Sequence, residues 1–376
     1  MLRPSLKLIE CFIFCMLTTG AGSFLSLHFG LGQPWMYLVI LIGTFILAAI
    51  NSKRSLRFDV TQVCLIVCGL GYLSSFLIET GAVDGLSLYL VPLLGFLLCK
   101  STIVQSERRT ETLAYYLMTS LVIICFSMII EPFILFSDLG YLNRGQRLSG
   151  FVGNANLAAF YIISHLVCIK LVWRKIPLSI FLLSAVCIVL TVSRAAILCV
   201  VTIFLFDFLR RFTITREVKY ISLIAVVAVG VLLSSFSQND ITDSFDFSRI
   251  NPLAQQSHLQ VDSSRIDVIS TYFQGINDRP IIGNGPSKGM NQEVRAHNTF
   301  LNIWYEVGFI PVLAFFSFLI FLFLQTYQWR SLFNVFLVCF IFSFFINSMI
   351  VHSIFWLLLG CCYIAKRRLG LQVDRS

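Results

Sequence analysis

Charged side chains are scarce in this 376-residue sequence: Asp, Glu, Lys and Arg make up 12% of it, against 57% hydrophobic residues. A soluble domain of this size needs far more polar surface to stay dissolved, so the scarcity excludes a soluble enzyme or binding domain. Apolar runs of roughly 17–25 residues, the length that crosses a bilayer as a helix, recur along the whole chain. The sequence therefore predicts an all-α, polytopic transmembrane helix bundle that forms one membrane domain over residues 1–376.

Features that mark several other protein classes are also missing. The chain has no GxxxxGK[ST] phosphate loop and no DxD-type nucleotide-sugar site in a predicted inner loop, which argues against a nucleotide donor. It has no internal repeat of the kind that inverted-repeat transporters show. Its 12 cysteines all fall in apolar runs or at their ends. We expect them to pack as small hydrophobic residues, with no disulfide and no metal site.

The apolar runs predict twelve spans. They cover residues 8–27, 34–50, 60–78, 86–99, 113–136, 156–173, 177–192, 195–209, 220–236, 299–325, 332–350 and 351–365. The first run has no clear small-residue cleavage site, so we interpret it as a retained span and not as a signal peptide. One long polar interval, 237–298, separates the ninth span from the tenth and is predicted to carry short helices.

Basic residues predict the orientation of these spans. With the N-terminus inside, 20 of the 28 Lys and Arg residues fall on the inner face. This distribution predicts contact with anionic lipid head groups and no nucleic-acid binding, and it places the 237–298 loop outside. The remaining eight are Arg144, Arg147, Arg194, Arg249, Arg265, Arg279, Lys288 and Arg295. Positive charge is disfavoured on the outer face, so these eight need a functional reason.

Arg194 interrupts the apolar run 176–209 at its middle. In one continuous helix its charge would lie deep in lipid, at a cost of roughly 3 kcal/mol or more. We therefore predict an outer turn at 193–194 between two short spans. The alternative is an arginine that only reaches to the interface, but a charge inside a membrane segment is functional by default.

The long loop ends in a predicted surface helix and a histidine. Apolar residues recur there at helical spacing, between a capping residue at Asp262 or Ser263 and a stop at 277–280. They are Ile266, Ile269, Tyr272, Phe273 and Ile276. The pattern predicts an amphipathic helix on the membrane surface with Arg265 in its first turn. His297 follows where the chain returns to the membrane, either as a general base near neutral pH or as an interfacial residue without chemistry.

The stretch SGFVGNANLAAFY opens the sixth span. Gly150 and Gly153 allow close backbone approach, and Asn154 and Asn156 place amides at a helix N-terminus, which attracts anions. Taken alone, an ordinary capped helix start is the simpler interpretation. Other polar residues in or near the spans are predicted to be interior groups without catalytic roles: Glu131, His165, Glu306 and His352. The acidic cluster at 240–246 is predicted to be a solvated face.

Four stretches of the chain resemble, in order and topology, the O-antigen ligase and polymerase superfamily of bacterial envelope glycosyltransferases. They are RLSGFVGNANLAAFY (147–161), LTVSRAAIL (190–198), SRIDVISTYFQGINDRPIIGNGP (264–286) and HNTFLNIWYEVGF (297–309). The resemblance covers a family core of 147–309. It implies a multi-pass enzyme of the bacterial inner membrane that needs no cofactor or metal. Its active site would face the periplasm and move a glycan from undecaprenyl diphosphate to an acceptor hydroxyl.

The resemblance also implies roles for individual residues. The family's functional SR arginine, loop-helix arginine and HN histidine match Arg194, Arg265 and His297, which are therefore the expected catalytic residues. The expected substrate-binding residues are Arg147, Asn154, Asn156, Arg279 and Asn298. The implied partners are the lipid-linked glycan donor, a glycan or lipid A–core acceptor, membrane lipids and a chain-length regulator protein.

The alternatives concern the acceptor and the class of function. A ligase acts on lipid A–core and a polymerase on another lipid-linked repeat unit, and the shared stretches do not separate the two. A third branch glycosylates proteins and is less favoured, because no further domain follows the last span. The competing class is a lipid-linked oligosaccharide flippase without transferase chemistry, which would predict internal repeats and charges at the membrane midplane.

Overall fold

The computed structural model describes residues 11–12, 14–16, 18–19, 63–71, 107–131, 148–209, 263–285, 297–347 and 349–373. Within these ranges every regular element is helical, which confirms the predicted all-α class. The elements used below are α1 (Glu107–Ile130), α2 (Ala155–Trp173), α3 (Leu178–Leu190), α4 (Arg194–Leu209), α5 (Ser263–Asp278), α6 (Thr299–Val307), α7 (Phe309–Thr326), α8 (Arg330–Phe342) and α9 (Ser353–Val373). Single 3-10 turns lie at Gly150–Val152 and Met349–Val351.

Three of the described helices are long and apolar enough to cross a membrane: Thr110–Ile130, Ala155–Trp173 and Phe309–Thr326. Four more are apolar but shorter: Leu178–Leu190, Arg194–Phe206, Ser331–Phe342 and Ser353–Lys366. The predicted spans 34–50, 86–99 and 220–236 lie outside the described residues, and 8–27 and 60–78 lie within them only in part. The count of twelve spans and the outer location of the 237–298 loop stay predictions.

α8 runs antiparallel to α2 and α4 at the centre of the bundle. The ring of Phe206, near the end of α4, lies 4.3 Å from that of Phe333, near the start of α8. The ring of Phe160, near the start of α2, lies 5.1 Å from that of Phe342, at the end of α8. The starts of α2 and α4 therefore meet the end of α8 at one end of the bundle. We call this the motif end, and it comprises residues 154–161, 191–195, 342–347 and 349–352.

The opposite end of the bundle carries basic residues. There the Lys366 ammonium donates to Gln325 Oε1 (3.1 Å), and the Arg368 guanidinium donates to the carbonyl of Val172, in the last turn of α2. A cation at a helix C-terminus interacts favourably with the helix dipole and with carbonyls that have no helical partner. Lys170, Arg174, Lys175 and Arg330 lie at the same end. This distribution agrees with the inner face that the basic residues predict.

α7 lies at the edge of the described bundle. In its apolar window 33% of residues are buried, against 78% for the central α2. Its exposed apolar side chains recur every three or four residues and form one stripe suited to lipid contact. They are Phe309, Ile310, Leu313, Phe316, Ile320 and Leu324.

The predicted span 299–325 is wrong as one continuous helix. α6 ends at Val307, and Gly308 adopts φ 87° and ψ −173°, a backbone conformation that is essentially restricted to glycine. The chain reverses there, because the Phe300 ring at the start of α6 lies 5.3 Å from that of Phe315, six residues into α7. At 1.5 Å per residue the start of α6 is about 9 Å along α7 from Phe309. α6 therefore folds back along α7, and only α7 is long enough to span.

The segment 279–285 caps the C-terminus of α6. The last carbonyls of a helix lack partners within the helix. Here Asn284 N donates to Tyr305 O (2.8 Å), and Gly285 N donates to Glu306 O (2.9 Å). The Asn284 amide also donates to Gly275 O (2.8 Å) and to Tyr305 O (3.2 Å), which ties the segment to α5 as well. The stretch RPIIGNG thus has a structural role as the cap of α6.

The bounds predicted for the loop helix are confirmed by α5, which ends at Asp278. Its apolar residues lie on one side of the helix, as the spacing predicts, but only part of that side is buried. Tyr272 and Ile276 are buried in a small cluster with Tyr305, whereas Ile269 and Phe273 are each 46% exposed. α5 therefore docks on α6 with one part of its apolar surface and leaves another part open.

Candidate active site

A turn separates α3 from α4 directly before Arg194, as predicted, and it lies at the motif end. α3 ends at Leu190, and α4 begins at Arg194, whose side chain is half-buried. Val192 adopts φ 45°, a left-handed conformation that is unfavourable for a β-branched residue. Strained residues of this kind cluster at functional sites, because the surrounding structure must hold them in place.

The turn is joined directly to the start of α2. The Ser193 hydroxyl donates to Asn156 Oδ1 (2.9 Å) and accepts from Ala196 N (3.3 Å). Asn154 Oδ1 accepts from the backbone N–H groups of Asn156 (3.0 Å) and Leu157 (3.1 Å) and so caps α2. The capped-helix interpretation of this stretch is confirmed for Asn154. Arg147 lies outside the described residues.

Glu131 holds the segment that leads into α2. Its Oε2 accepts from the backbone N–H groups of Ser149 (2.8 Å) and Gly150 (2.7 Å). Burial raises the pKa of the Glu131 carboxyl, and the N–H groups of Gly150 and Ser149 oppose part of this rise. Gly150 has φ 55°, and a Cβ there would meet Ser127 Oγ. Glu131 is thus an interior structural group, as predicted. His165 and Glu306 are also buried in the interior, as predicted, and their lack of a catalytic role stays a prediction. His352 is only half-buried.

His297 also lies at the motif end. Two residues after it, Thr299 N donates to Ser343 O (2.8 Å) in the connector between α8 and α9. The Thr299 hydroxyl donates to Ile346 O (2.7 Å) and accepts from Met349 N (3.3 Å). His297 itself is exposed and adopts φ 43°. It is the second motif residue held in the left-handed region, after Val192.

Arg194 and Ser343 lie at nearly the same level along the bundle. Arg194 is twelve residues from Phe206 along α4, about 18 Å, and Ser343 is ten residues from Phe333 along α8, about 15 Å. Since the Phe206 and Phe333 rings lie 4.3 Å apart and the helices are antiparallel, Arg194 lies about 3 Å beyond Ser343. The carbonyl of Ser343 accepts a hydrogen bond from Thr299 N. The turn that ends at Ser193 and Arg194 (the SR turn) and the segment of His297 and Asn298 (the HN turn) therefore lie at the same end of the bundle and at a similar depth.

The other expected site residues are placed as follows. Asn298 Oδ1 accepts from Leu301 N (3.0 Å), which makes Asn298 the N-cap of α6. Arg279 is exposed in the turn after α5, and its carbonyl accepts from Gly283 N (3.0 Å). Arg265 is the third residue of α5, and its side chain lies outside the description. It is seven residues from Tyr272, so its backbone lies about 10 Å along α5 from the contact with α6. Its approach to Arg194 stays a prediction.

The sequence did not predict the roles of Thr299 and Asn284. Thr299 fixes the start of α6 on the connector between α8 and α9, and Asn284 fixes the 279–285 segment on α5 and α6. Both are small polar residues whose hydrogen bonds go to distant segments, and only local spacing can be read from a sequence. The glycines around Asn284 were the available signal, because a GNG stretch after a helix stop indicates close backbone approach.

Comparison with known proteins gives one positive finding. Residues 179–316 match the O-antigen ligase family, from the first turn of α3 into α7, and so include both the SR turn and the HN turn. No curated protein matches the chain. The matched segment holds three of the four stretches that carry the resemblance, and its apolar helices are those of a membrane protein. Over this segment the chain is similar to the O-antigen ligase family, in agreement with the resemblance that the sequence carries.

Proposed function

We propose that the protein is a glycosyltransferase of the bacterial inner membrane that works on the periplasmic face. It moves a glycan from undecaprenyl diphosphate to an acceptor hydroxyl in the synthesis of lipopolysaccharide or another surface polysaccharide. The observation that supports the proposal is the similar depth of the SR turn and the HN turn at one end of the bundle, within the segment that matches the O-antigen ligase family.

The proposed reaction is a displacement at the first sugar carbon. The acceptor oxygen forms a bond to that carbon, the bond from the carbon to the phosphate oxygen breaks, and undecaprenyl diphosphate leaves with the electron pair. His297 accepts the proton of the acceptor hydroxyl or orients that hydroxyl. The exposure of His297 at the motif end leaves its ring accessible for this role.

The two arginines stabilise the charge that grows on the leaving group. A guanidinium binds phosphate oxygens through two parallel hydrogen bonds and stays charged at all relevant pH values. Arg194 is half-buried, and a partly desolvated site makes such stabilisation more effective. Arg265 would approach from α5, which is docked on α6 through Tyr272 and Tyr305. The diphosphate linkage of the donor supplies the driving force, so the proposed reaction uses neither ATP nor a metal.

The remaining candidate residues would bind the donor at the rim of this site. Asn154 and Asn298 use their Oδ1 atoms as helix caps, so only their amide nitrogens would donate to substrate. Both caps also direct helix N-termini, of α2 and α6, towards the motif end, where a diphosphate is favoured. Asn156, Arg147 and Arg279 complete the proposed set.

Deletion of the gene tests the function, with gel analysis of surface polysaccharide as the measurement. Loss of all repeats from lipid A–core identifies a ligase, and a single repeat on lipid A–core identifies a polymerase. Polysaccharide that is unchanged by the deletion contradicts both. If glycan stays on undecaprenyl diphosphate at the cytoplasmic face, the flippase alternative replaces the transferase.

A further inference from the structure

Asn302 is a buried polar residue of α6 to which the site described above assigns no role. Its side chain is completely buried, and neither Oδ1 nor Nδ2 has a hydrogen-bond partner among the described residues. Buried amides are nearly always hydrogen-bonded, because an unpaired donor or acceptor away from water is destabilising. An asparagine in this state needs a reason other than the stability of the unliganded fold.

The geometry of α6 shows which way Asn302 faces. Successive residues of an α-helix are about 100° apart, so Asn302 lies about 60° from Thr299 on one side and about 60° from Tyr305 on the other. Thr299 is bonded to the α8–α9 connector, and the Tyr305 ring packs 4.7 Å from that of Tyr272 on α5. Asn302 therefore faces the boundary between α5 and the connector. It points away from Phe300, which contacts α7.

Asn302 is also level with Arg194. α6 runs from Thr299, which is bonded to Ser343, towards the first residue of α7. Asn302 is three residues along, and so about 4.5 Å beyond the level of Ser343. Arg194 lies about 3 Å beyond the same level, by the register of α4 and α8. The two side chains thus have nearly the same depth at the motif end.

We propose that Asn302 is a substrate-binding residue of this site and that its amide binds the sugar–diphosphate junction of the lipid-linked donor. This inference rests on the proposed function. Nδ2 donates to a diphosphate oxygen, and Oδ1 accepts from a hydroxyl of the first sugar, so that one ligand satisfies both unpaired atoms. No other residue type offers one donor group and one acceptor group in so compact a planar side chain.

Because Asn302 is completely buried, a ligand reaches it only if a neighbouring element moves, and α5 is the element that we propose to move. α5 packs on α6 through a separate cluster of Tyr272, Ile276 and Tyr305, which is distinct from the main core. Its movement therefore leaves the packing of α2, α4 and α8 intact. Loops and short elements held by few apolar contacts are those that open most readily.

The test uses the purified full-length protein in detergent micelles, with undecaprenyl diphosphate as the probe. Ligand-induced thermal stabilisation gives the dissociation constant. The variant is Asn302→Leu, which keeps the volume and removes both polar atoms. Asn334→Leu is the matched control, because Asn334 is 2% exposed and its Oδ1 also lacks a partner among the described residues. Asn334 lies on α8 about 13 Å from Ser343, towards the opposite end of the bundle.

We expect Asn302→Leu to weaken probe binding at least about tenfold, the lower range for a hydrogen bond to a charged group. Its melting temperature without probe should equal or exceed that of the unaltered protein, since an unpaired buried amide is removed. Asn302→Ser, which keeps a donor, should bind with intermediate strength. Asn334→Leu should bind as the unaltered protein does.

Two results would overturn the inference. One is equal binding by Asn302→Leu and Asn334→Leu. The other is a loss of melting temperature in Asn302→Leu that accounts for its weaker binding, with Asn302→Ser binding no better. Arg194→Ala separates this failure from a failure of the proposed function. If Arg194→Ala loses probe binding while Asn302→Leu keeps it, only the role of Asn302 is wrong. If both bind fully, the proposed site is wrong.

Discussion

Replacing Gly308 by alanine should detach the 279–285 segment from α6 while leaving the rest of the bundle folded. Gly308 joins α6 to α7 with φ 87° and ψ −173°. An alanine Cβ at this position would meet the carbonyl of Ile281. The backbone of 281–285 must therefore move away from α6, and the hydrogen bonds to the last carbonyls of α6 are lost.

The structure allows the size of this effect to be worked out. A non-glycine residue in this backbone region costs about 1–3 kcal/mol. Three hydrogen bonds lie in the path of the movement: two backbone bonds, from Asn284 N and Gly285 N, and one from the Asn284 amide to Tyr305. Each contributes about 0.5–1.5 kcal/mol net. These hydrogen bonds favour the docked segment in both proteins and oppose the movement. The docking equilibrium therefore changes by the strain that the movement relieves, about 1–3 kcal/mol, which shifts it towards the detached segment at least about fivefold.

Hydrogen–deuterium exchange measures this population directly. The amides of Asn284 and Gly285 should exchange at least about fivefold faster in Gly308→Ala than in the unaltered protein. Gly69→Ala is the control, because a Cβ at Gly69 meets nothing within 4 Å. It should leave exchange at 283–285 unchanged. Surface polysaccharide should fall in Gly308→Ala at matched expression, because α5 loses its fixed position on α6.

One result refutes this reasoning. If peptides that cover 279–285 exchange identically in Gly308→Ala and in the unaltered protein, then the cap does not depend on the glycine conformation. A general loss of protection that extends to α2 would instead show that the turn supports the whole bundle.

Three further predictions follow from the site and its supports. Arg265→Ala should abolish product while the protein still inserts, and Arg265→Lys should restore only part of it because an ammonium lacks the bidentate fork; full surface polysaccharide in the alanine variant contradicts the role. Glu131→Ala should lower the free energy of unfolding by about 3–6 kcal/mol, because two buried backbone N–H groups lose a charged acceptor. A melting temperature of Glu131→Ala that is no lower than that of Glu131→Gln contradicts this role. Reporter fusions at Ser257 and Gly370 should report outside and inside, respectively, and an inside signal at Ser257 overturns the orientation.

Composition and charge placement were enough to predict the class of this protein and two of its turns. The break before Arg194 follows from the sequence alone, because a guanidinium in the middle of an apolar run forces the chain to the interface. The end of α5 at Asp278 likewise follows from Pro280, which a helix interior excludes. Both are local effects, in which a residue and its close neighbours determine the backbone.

The tertiary structure decided what depends on residues far apart in the chain. Hydropathy did not disclose the reversal at Gly308, because apolar residues continue from α6 into α7 and only the contact of Phe300 with Phe315 shows that α6 folds back. Helical spacing predicts the apolar face of α5, but only the contact with Tyr305 shows which part of that face is buried. The common depth of Arg194 and His297 depends on the antiparallel register of α4 and α8 and on the bond from Thr299 to Ser343. Register is set by side-chain packing between helices, and spacing within one helix carries no information about it.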